Sequence, residues 1–228
     1  MRDNGLNRRL LSAAEFVRQG AVFADIGTDH AYLPLFLLSS GRIKSAVLAD
    51  INEGPLASAR RNAARTPFMD RLAFVLTDGA AELDGMGVTD YAICGMGGEL
   101  IAEIIERAPH LKNSEINLIL QPMSRQSSLR TYLARAGFDI ISESYSFDGG
   151  KCYVCFLARF DGVCREITPA EAEFGSEYTE IVNKDLQKRY ILVKKSSLLR
   201  TVKGKELGGE NTENERRLLE YADRLLDS

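Results

Sequence analysis

Apolar and polar positions along this chain keep switching between two periods, and the switches mark out its elements. Leu6, Leu10, Ala13, Ala14 and Val17 recur every three to four residues, which predicts an amphipathic helix. A short apolar run over residues 21–24 predicts a strand, and Leu33, Leu37 and Leu38 place a helix after it. The unit then repeats. A strand at 45–49 ends on Asp50 and is followed by a helix rich in alanine and arginine that runs to about residue 65. A strand at 72–77 follows, and another at 91–94 precedes a helix bearing Leu100, Ile101, Ile104 and Ile105. A fifth at 117–120 precedes a helix through Leu129, Tyr132, Leu133 and Ala136, which Gly137 ends. Two last strands, 139–145 and 152–160, are joined through Asp148-Gly149-Gly150, a connection short enough to make them antiparallel. Strand and helix units followed by a hairpin predict an α/β fold with a Rossmann-like open sheet of seven strands, parallel apart from one.

From about Pro169 the period of two disappears. Tyr178, Val182, Leu186, Tyr190 and Val193 form one apolar stripe, Gly204, Gly208 and Gly209 interrupt it, and Leu218, Ala222 and Leu225 form a second. This predicts an α-helical coiled-coil hairpin whose first helix is about 50 Å long at 1.5 Å per residue. The expected division is a sheet domain over 1–163 and a helical appendage over 164–228.

Charge changes this picture locally rather than globally. The net charge of −3 excludes whole-surface attraction to nucleic acid, whereas a patch remains open. Between 184 and 205 stand Lys184, Lys188, Arg189, Lys194, Lys195, Arg200, Lys203 and Lys205 against the single acid Asp185. A helix of that balance suits RNA phosphates. Arg8 and Arg9, off the apolar side of the first helix, read as a solvated face or a further RNA contact. No apolar run reaches the roughly 18 residues of a membrane span, and Glu15 and Arg18 interrupt any signal-peptide core, so a cytoplasmic protein with reduced cysteines is expected. Cys152 and Cys155 sit three apart in a strand and so face opposite sides, which speaks against a metal or redox pair. No metal is expected, and a monomer is favoured.

The candidate chemistry lies at the strand ends, where open α/β sheets bind ligands. Asp25 and Gly27 close the first strand, with Asp29 and His30 as titratable groups on the same rim. Asp50 ends the second strand 25 residues on, where a carboxylate can hold the ribose hydroxyls of a nucleoside cofactor. Asp78-Gly79 reads as an adenine acceptor or a plain turn, and Gly95-Met96-Gly97-Gly98 as a close backbone approach or a helix entry.

Seven strands with a terminal hairpin resemble the class I S-adenosylmethionine-dependent methyltransferases. Within that class, the strings Asp25-Ile26-Gly27-Thr28-Asp29-His30-Ala31-Tyr32-Leu33-Pro34, Gly95-Met96-Gly97-Gly98 and Leu118-Ile119-Leu120-Gln121-Pro122 resemble the bacterial tRNA adenine-22 N1-methyltransferase family. The resemblance implies methyl transfer from S-adenosylmethionine, leaving S-adenosylhomocysteine, to N1 of adenine 22 in tRNA. It implies that Asp25, Gly27, Asp29 and Ala31 line the methionine end of the cofactor. Asp50 would hold the ribose with Ile51 and Asn52 alongside, Asp78 and Gly79 the adenine, and Gly95, Met96 and Gly97 the methyl-bearing rim. Gly98, Gln121 and Pro122 would face the target base. Arg8, Arg9, Lys184, Lys188, Arg189, Lys194 and Lys195 would face RNA, the appendage helping to grip tRNA. Asp29 is the expected catalytic carboxylate and His30 the alternative. Two positions depart from the family pattern: Asp50 where glutamate is common, and Met123 where asparagine follows Gln-Pro. Three other readings stay open, namely a methyltransferase acting on another RNA or a small molecule, a nicotinamide-dependent oxidoreductase, and a non-catalytic RNA-binding module.

Overall fold

The computed structural model describes residues 6–227. The first helix, α1 (Arg8–Phe16), starts where the Asn7 side chain accepts from the Leu10 amide and caps the free end. The strands β1 (Ala21–Ile26), β2 (Ile43–Asp50), β3 (Leu72–Leu76), β4 (Asp90–Gly97) and β5 (Asn117–Ser124) follow in parallel. Between them lie α2 (Tyr32–Ser39), α3 (Glu53–Ala63) and α4 (Gly98–Glu106), and α5 (Gln126–Arg135) follows β5. The hairpin of β6 (Phe138–Asp148) and β7 (Lys151–Phe160) inserts β7 antiparallel between β5 and β6.

The sheet has eight strands rather than seven, in the order β3-β2-β1-β4-β5-β7-β6-β8. The extra strand, β8 (Glu180–Ile181), pairs parallel with the outer edge of β6 and covers it. The strand order reverses between β1 and β4, which is where an open sheet of this kind leaves a crevice at its carboxyl edge.

Alternation along each strand feeds two apolar layers. Phe23, Leu48, Ala92 and Ile119 point to one face and pack with α1 and α2; Ala24, Ala49, Ile93, Leu118 and Leu120 point to the other, against α4 and α5. Ile101, Ile104 and Ile105 on α4 are spaced one, three and four apart and are all buried, each contributing about 1.5–3 kcal/mol by leaving water. Cys152 packs with the second layer and Cys155 with the first, so the strand does separate the two thiols.

The carboxyl-terminal helices form a hairpin, but not over the predicted span. After α6 (Pro169–Phe174), which opens on a Thr168/Glu171 capping box, come β8 and then α7 (Lys184–Leu207) and α8 (Glu213–Asp227). The ion pairs Lys195 with Asp223 and Lys205 with Glu215 step along the two helices in opposite directions, so the hairpin is antiparallel, and Arg216 with Glu206 adds a third bridge near its turn. Tyr178, 95 % exposed, and Val182 lie outside the helix, and Val193 is exposed on it, while Gln187, Tyr190, Ile191 and Val202 form the buried face. The 24 residues of α7 give about 36 Å rather than 50 Å.

The hairpin shares its core with the sheet. Phe174, Tyr190, Ile191, Tyr221, Ala222 and Leu225 belong to the same apolar cluster as α4 and α5. Beneath it, Arg130 and Glu143, 2 % and 1 % exposed, form a two-pronged pair at 2.9 and 3.1 Å. Arg130 also donates to the carbonyls of Ala172 and Glu173, and the Tyr145 hydroxyl donates to Glu143. One charge pair thus fastens α5, β6 and α6 together.

Candidate active site

Three carboxylates stand at neighbouring strand tips on the carboxyl edge. Asp25, next to last in β1, is buried, and burial, with the charge of Asp50 adding to it and Arg9 opposing it, pushes its carboxyl up to about 6. Such a group favours a cationic ligand, which would restore its charged form. Asp50 at the end of β2 accepts the Asn52 amide with Oδ1 at 2.7 Å, and Oδ2 has no partner among the described residues. Ile51 beside it is 60 % exposed, an apolar surface suited to a ring system. Asp78 is not free as the sequence suggested. Arg107, from the end of α4, holds both its oxygens at 2.5 and 3.3 Å, so a ligand amino group there would share an ion-paired acceptor.

The loop after β1 is tightly built. Gly27 has φ +74°, and a Cβ there would lie 2.1 Å from Cε of Met96, whose side chain reaches across from β4. His30 and Ala31 are both left-handed, with φ of 62° and 60°, a conformation that costs L residues roughly 1–2 kcal/mol each. Consecutive strain of this kind gathers at ligand clamps. It turns Asp29 outward, 73 % exposed on its side chain, with His30 Nε2 3.2 Å from Oδ1 and stacked on Tyr32. Asn62 donates to the His30 carbonyl and holds the turn.

The β4 tip bends through two shifts of register between Cys94 and Gly97, the type of irregularity that re-aims backbone beside a site. Here Arg9 takes an unforeseen place. It is not on a solvated face but donates to Oε1 of Gln121 at 2.5 Å, and the Gly95 amide donates to the same oxygen at 3.2 Å. Its neighbour Arg8 turns to the other side of α1. Burial pushes the Cys94 thiol up to about 12, so it is no nucleophile at neutral pH.

Three residues expected to face a substrate base do not. Gln121 is fully buried and spends its amide on Arg9, Gly95 and the Pro122 carbonyl, and Pro122 is itself buried. Gly98 opens α4 facing inward, where a Cβ would lie 2.3 Å from the Arg125 carbonyl oxygen. Met123 and Ser124 are the exposed residues of that rim. Of the basic helix, Lys194 is paired to Glu173 at 2.6 Å and Lys195 to Asp223, so both face neighbouring helices. Lys184 and Lys188 make no ion pair among the described residues, and Arg189 lies 3.9 Å over the Phe147 ring.

The arrangement is a cleft with an under-neutralised buried acid, a ribose-type acceptor, a close backbone turn and an open carboxylate at the rim. Those groups fit a cationic nucleoside cofactor. Among the described residues, no cluster of three or more His, Cys, Asp or Glu is placed to hold a metal, and no helix is long and apolar enough to cross a membrane.

Comparison with known proteins agrees with this geometry. Residues 6–156 match the family model described as a methyltransferase domain. The tRNA (adenine(22)-N(1))-methyltransferase of Bacillus subtilis (strain 168) is 33 % identical over 158 residues, covering 69 % of this chain and 66 % of that protein. Sp1610 of Streptococcus pneumoniae, solved in complex with S-adenosyl-L-methionine, is 29 % identical with a TM-score of 0.80 over 97 % of this chain and 99 % of that one. TrmK of M. capricolum, in complex with S-adenosyl-homocysteine, is 26 % identical with a TM-score of 0.73 over 96 % and 94 %.

Proposed function

The chain belongs to the bacterial tRNA (adenine-22-N1)-methyltransferase family of class I methyltransferases, and from that premise we propose that it methylates N1 of adenine 22 in tRNA with S-adenosylmethionine. The observation that carries the reading is Asp25, a buried carboxylate without a salt bridge among the described residues, at the strand reversal. The cofactor's amino acid ammonium supplies the missing charge. Asp50, whose Oδ1 already takes the Asn52 amide, would hold the ribose hydroxyls, Ile51 would lie against the adenine, and Asp78, steadied by Arg107, would accept from its amino group. Residues 1–163 carry this chemistry, and 164–228 help hold the tRNA. The enzyme works in the cytoplasm.

When bound, the cofactor supplies an electrophilic methyl group on a sulfonium. N1 of an unpaired adenine already has a lone pair, so the protein's work is alignment rather than proton removal. Because N1 lies on the Watson–Crick edge, the base must leave its pairing to reach the rim. Asp29 is placed there to stabilise the positive charge that grows on the base, with His30 orienting it from 3.2 Å. Arg9 holds Gln121 and Gly95 so that the β4 tip keeps its bend.

Asp29→Ala tests this division of labour. Turnover is expected to fall on the order of 100-fold, while S-adenosylhomocysteine still raises the melting temperature as it does in the parent protein. Loss of that thermal shift with turnover otherwise preserved would make Asp29 a cofactor ligand instead. NAD should give no shift; a shift with NAD but not with S-adenosylhomocysteine would favour a nicotinamide enzyme.

A further inference from the structure

A cavity of about 170 Å³ lies between α1, the carboxyl end of β6 and the start of α7, and no step above uses it. That is several times the roughly 30 Å³ of a water molecule. Because β6 runs parallel to β5, this cavity opens on the same edge of the sheet as the cleft, three strand spacings or about 14 Å from the β4 tip. Arg8 and Arg9 join the two places: Arg9 bonds Gln121 at the β5 tip, and Arg8 lines the cavity.

Ser144 and Ser146 of β6 line its floor. Ser142, Ser144 and Ser146 share one face of β6 by the period of two. Ser142 donates to the Glu180 carbonyl at 3.0 Å and Ser144 to Oε2 of Glu15 at 3.1 Å. Ser146, only 5 % exposed, has no partner for its hydroxyl, although an unpaired buried hydroxyl costs about 1–3 kcal/mol. Oε1 of Glu15, on the opposite wall, also has no partner among the described residues. Phe147 closes one side, and Asn183, the cap of α7, the other.

A carboxylate oxygen, a hydroxyl and an apolar wall match the edge of a nucleobase, which carries N–H donors beside ring acceptors. A bare phosphate does not suit them, because Glu15 would repel it, whereas Arg8 is placed for the phosphate attached to that base. We infer that this groove receives one base of the RNA substrate, a neighbour of the target adenosine, with Glu15 accepting its N–H and Ser146 completing its edge. The inference rests on the reading of RNA as substrate and adds a second nucleoside site to it.

The test uses full-length protein and tRNA assembled with single abasic nucleotides at positions flanking the target. Glu15→Gln keeps an oxygen for Ser144 and removes the carboxylate; Ser146→Ala removes the orphan hydroxyl. Each is expected to lower kcat/KM on intact tRNA about tenfold, mainly through KM, with S-adenosylhomocysteine affinity unchanged. The parent enzyme should lose about tenfold at one abasic position, and Glu15→Gln should lose nothing further there, since the two changes delete the same contact. If both variants match the parent on intact tRNA, or if the two losses multiply at every position, the groove holds no base. If the parent enzyme transfers no methyl to any of these RNAs, the RNA reading itself fails, and the groove proposal with it.

Discussion

Arg130→Met lowers the unfolding free energy by about 3–5 kcal/mol, the largest loss expected of any single exchange outside the cleft. The guanidinium is buried beside Glu143 and supplies donors to the Ala172 and Glu173 carbonyls. Removing it leaves the buried Glu143 carboxylate without its counter-charge, held by the Tyr145 hydroxyl alone, and takes a donor from the Ala172 and Glu173 carbonyls. The methionine chain fills the space but returns none of those bonds. Because these groups sit under α6, the carboxyl-terminal helices should lose protection first in hydrogen exchange. Replacing Arg130 and Glu143 together with apolar residues should cost less than Arg130→Met alone, since the uncompensated charge then disappears. Urea denaturation of the single and double variants reads both effects. Equal or additive losses would mean that the pair is not what fastens the hairpin.

Asp25→Asn should raise stability and lower cofactor affinity at once. The folded carboxyl titrates at about 6, above its ordinary 3.8, so the folded state binds the proton more tightly than the unfolded state does. Its contribution to stability therefore rises as pH falls from about 7 toward 4, and ionised Asp25 burdens the free protein at neutral pH by about 3 kcal/mol. An amide removes that burden and should raise the melting temperature of the free protein by several degrees. The same change removes the counter-charge to the cofactor's ammonium, and S-adenosylhomocysteine affinity should fall about 100-fold, the scale of a charge-assisted bond of about 3 kcal/mol. In the parent protein, affinity should be level above pH 7 and weaken up to tenfold for each pH step below 6, because binding then has to displace a proton. The Asp25→Asn variant should show no such slope. Calorimetric titrations from pH 5 to 8 measure it, and identical slopes in both proteins would remove Asp25 from the cofactor site.

What the sequence disclosed depended on how local each feature is. Asp25, Asp50 and Asp78 were legible because a strand's end and its first loop residue are neighbours in the chain. The parallel sheet with one reversed strand followed from the same periodicities. Long-range features were hidden. The strand β8 exists because Glu180 and Ile181 pair with Ser142 and Glu143, nearly forty residues earlier, and no local period announces it. That pairing draws Tyr178 and Val182 out of a stripe that spacing alone assigns to a helix. Arg8 and Arg9 are adjacent in sequence and read alike, yet Arg9 reaches Gln121 across the cleft and Arg8 turns to a groove. Gly98 resembled a rim residue because it completes a glycine cluster, whereas the Arg125 carbonyl, brought in by α5, leaves no room for a side chain. The acids that neutralise Lys194 and Lys195 come from α6 and α8 and that of Lys205 from α8, so Lys184, Lys188, Arg189, Arg200 and Lys203 are the cations of α7 without an ion pair among the described residues.

The measurement that bears most directly on the central claim is transfer of labelled methyl from S-adenosylmethionine to unmodified tRNA, followed by nucleoside digestion and mapping of the labelled position. The expected product is 1-methyladenosine at position 22, with no label when that adenosine is replaced by another base. Label on a different nucleoside, or a protein that binds S-adenosylhomocysteine yet leaves tRNA unlabelled, would contradict it.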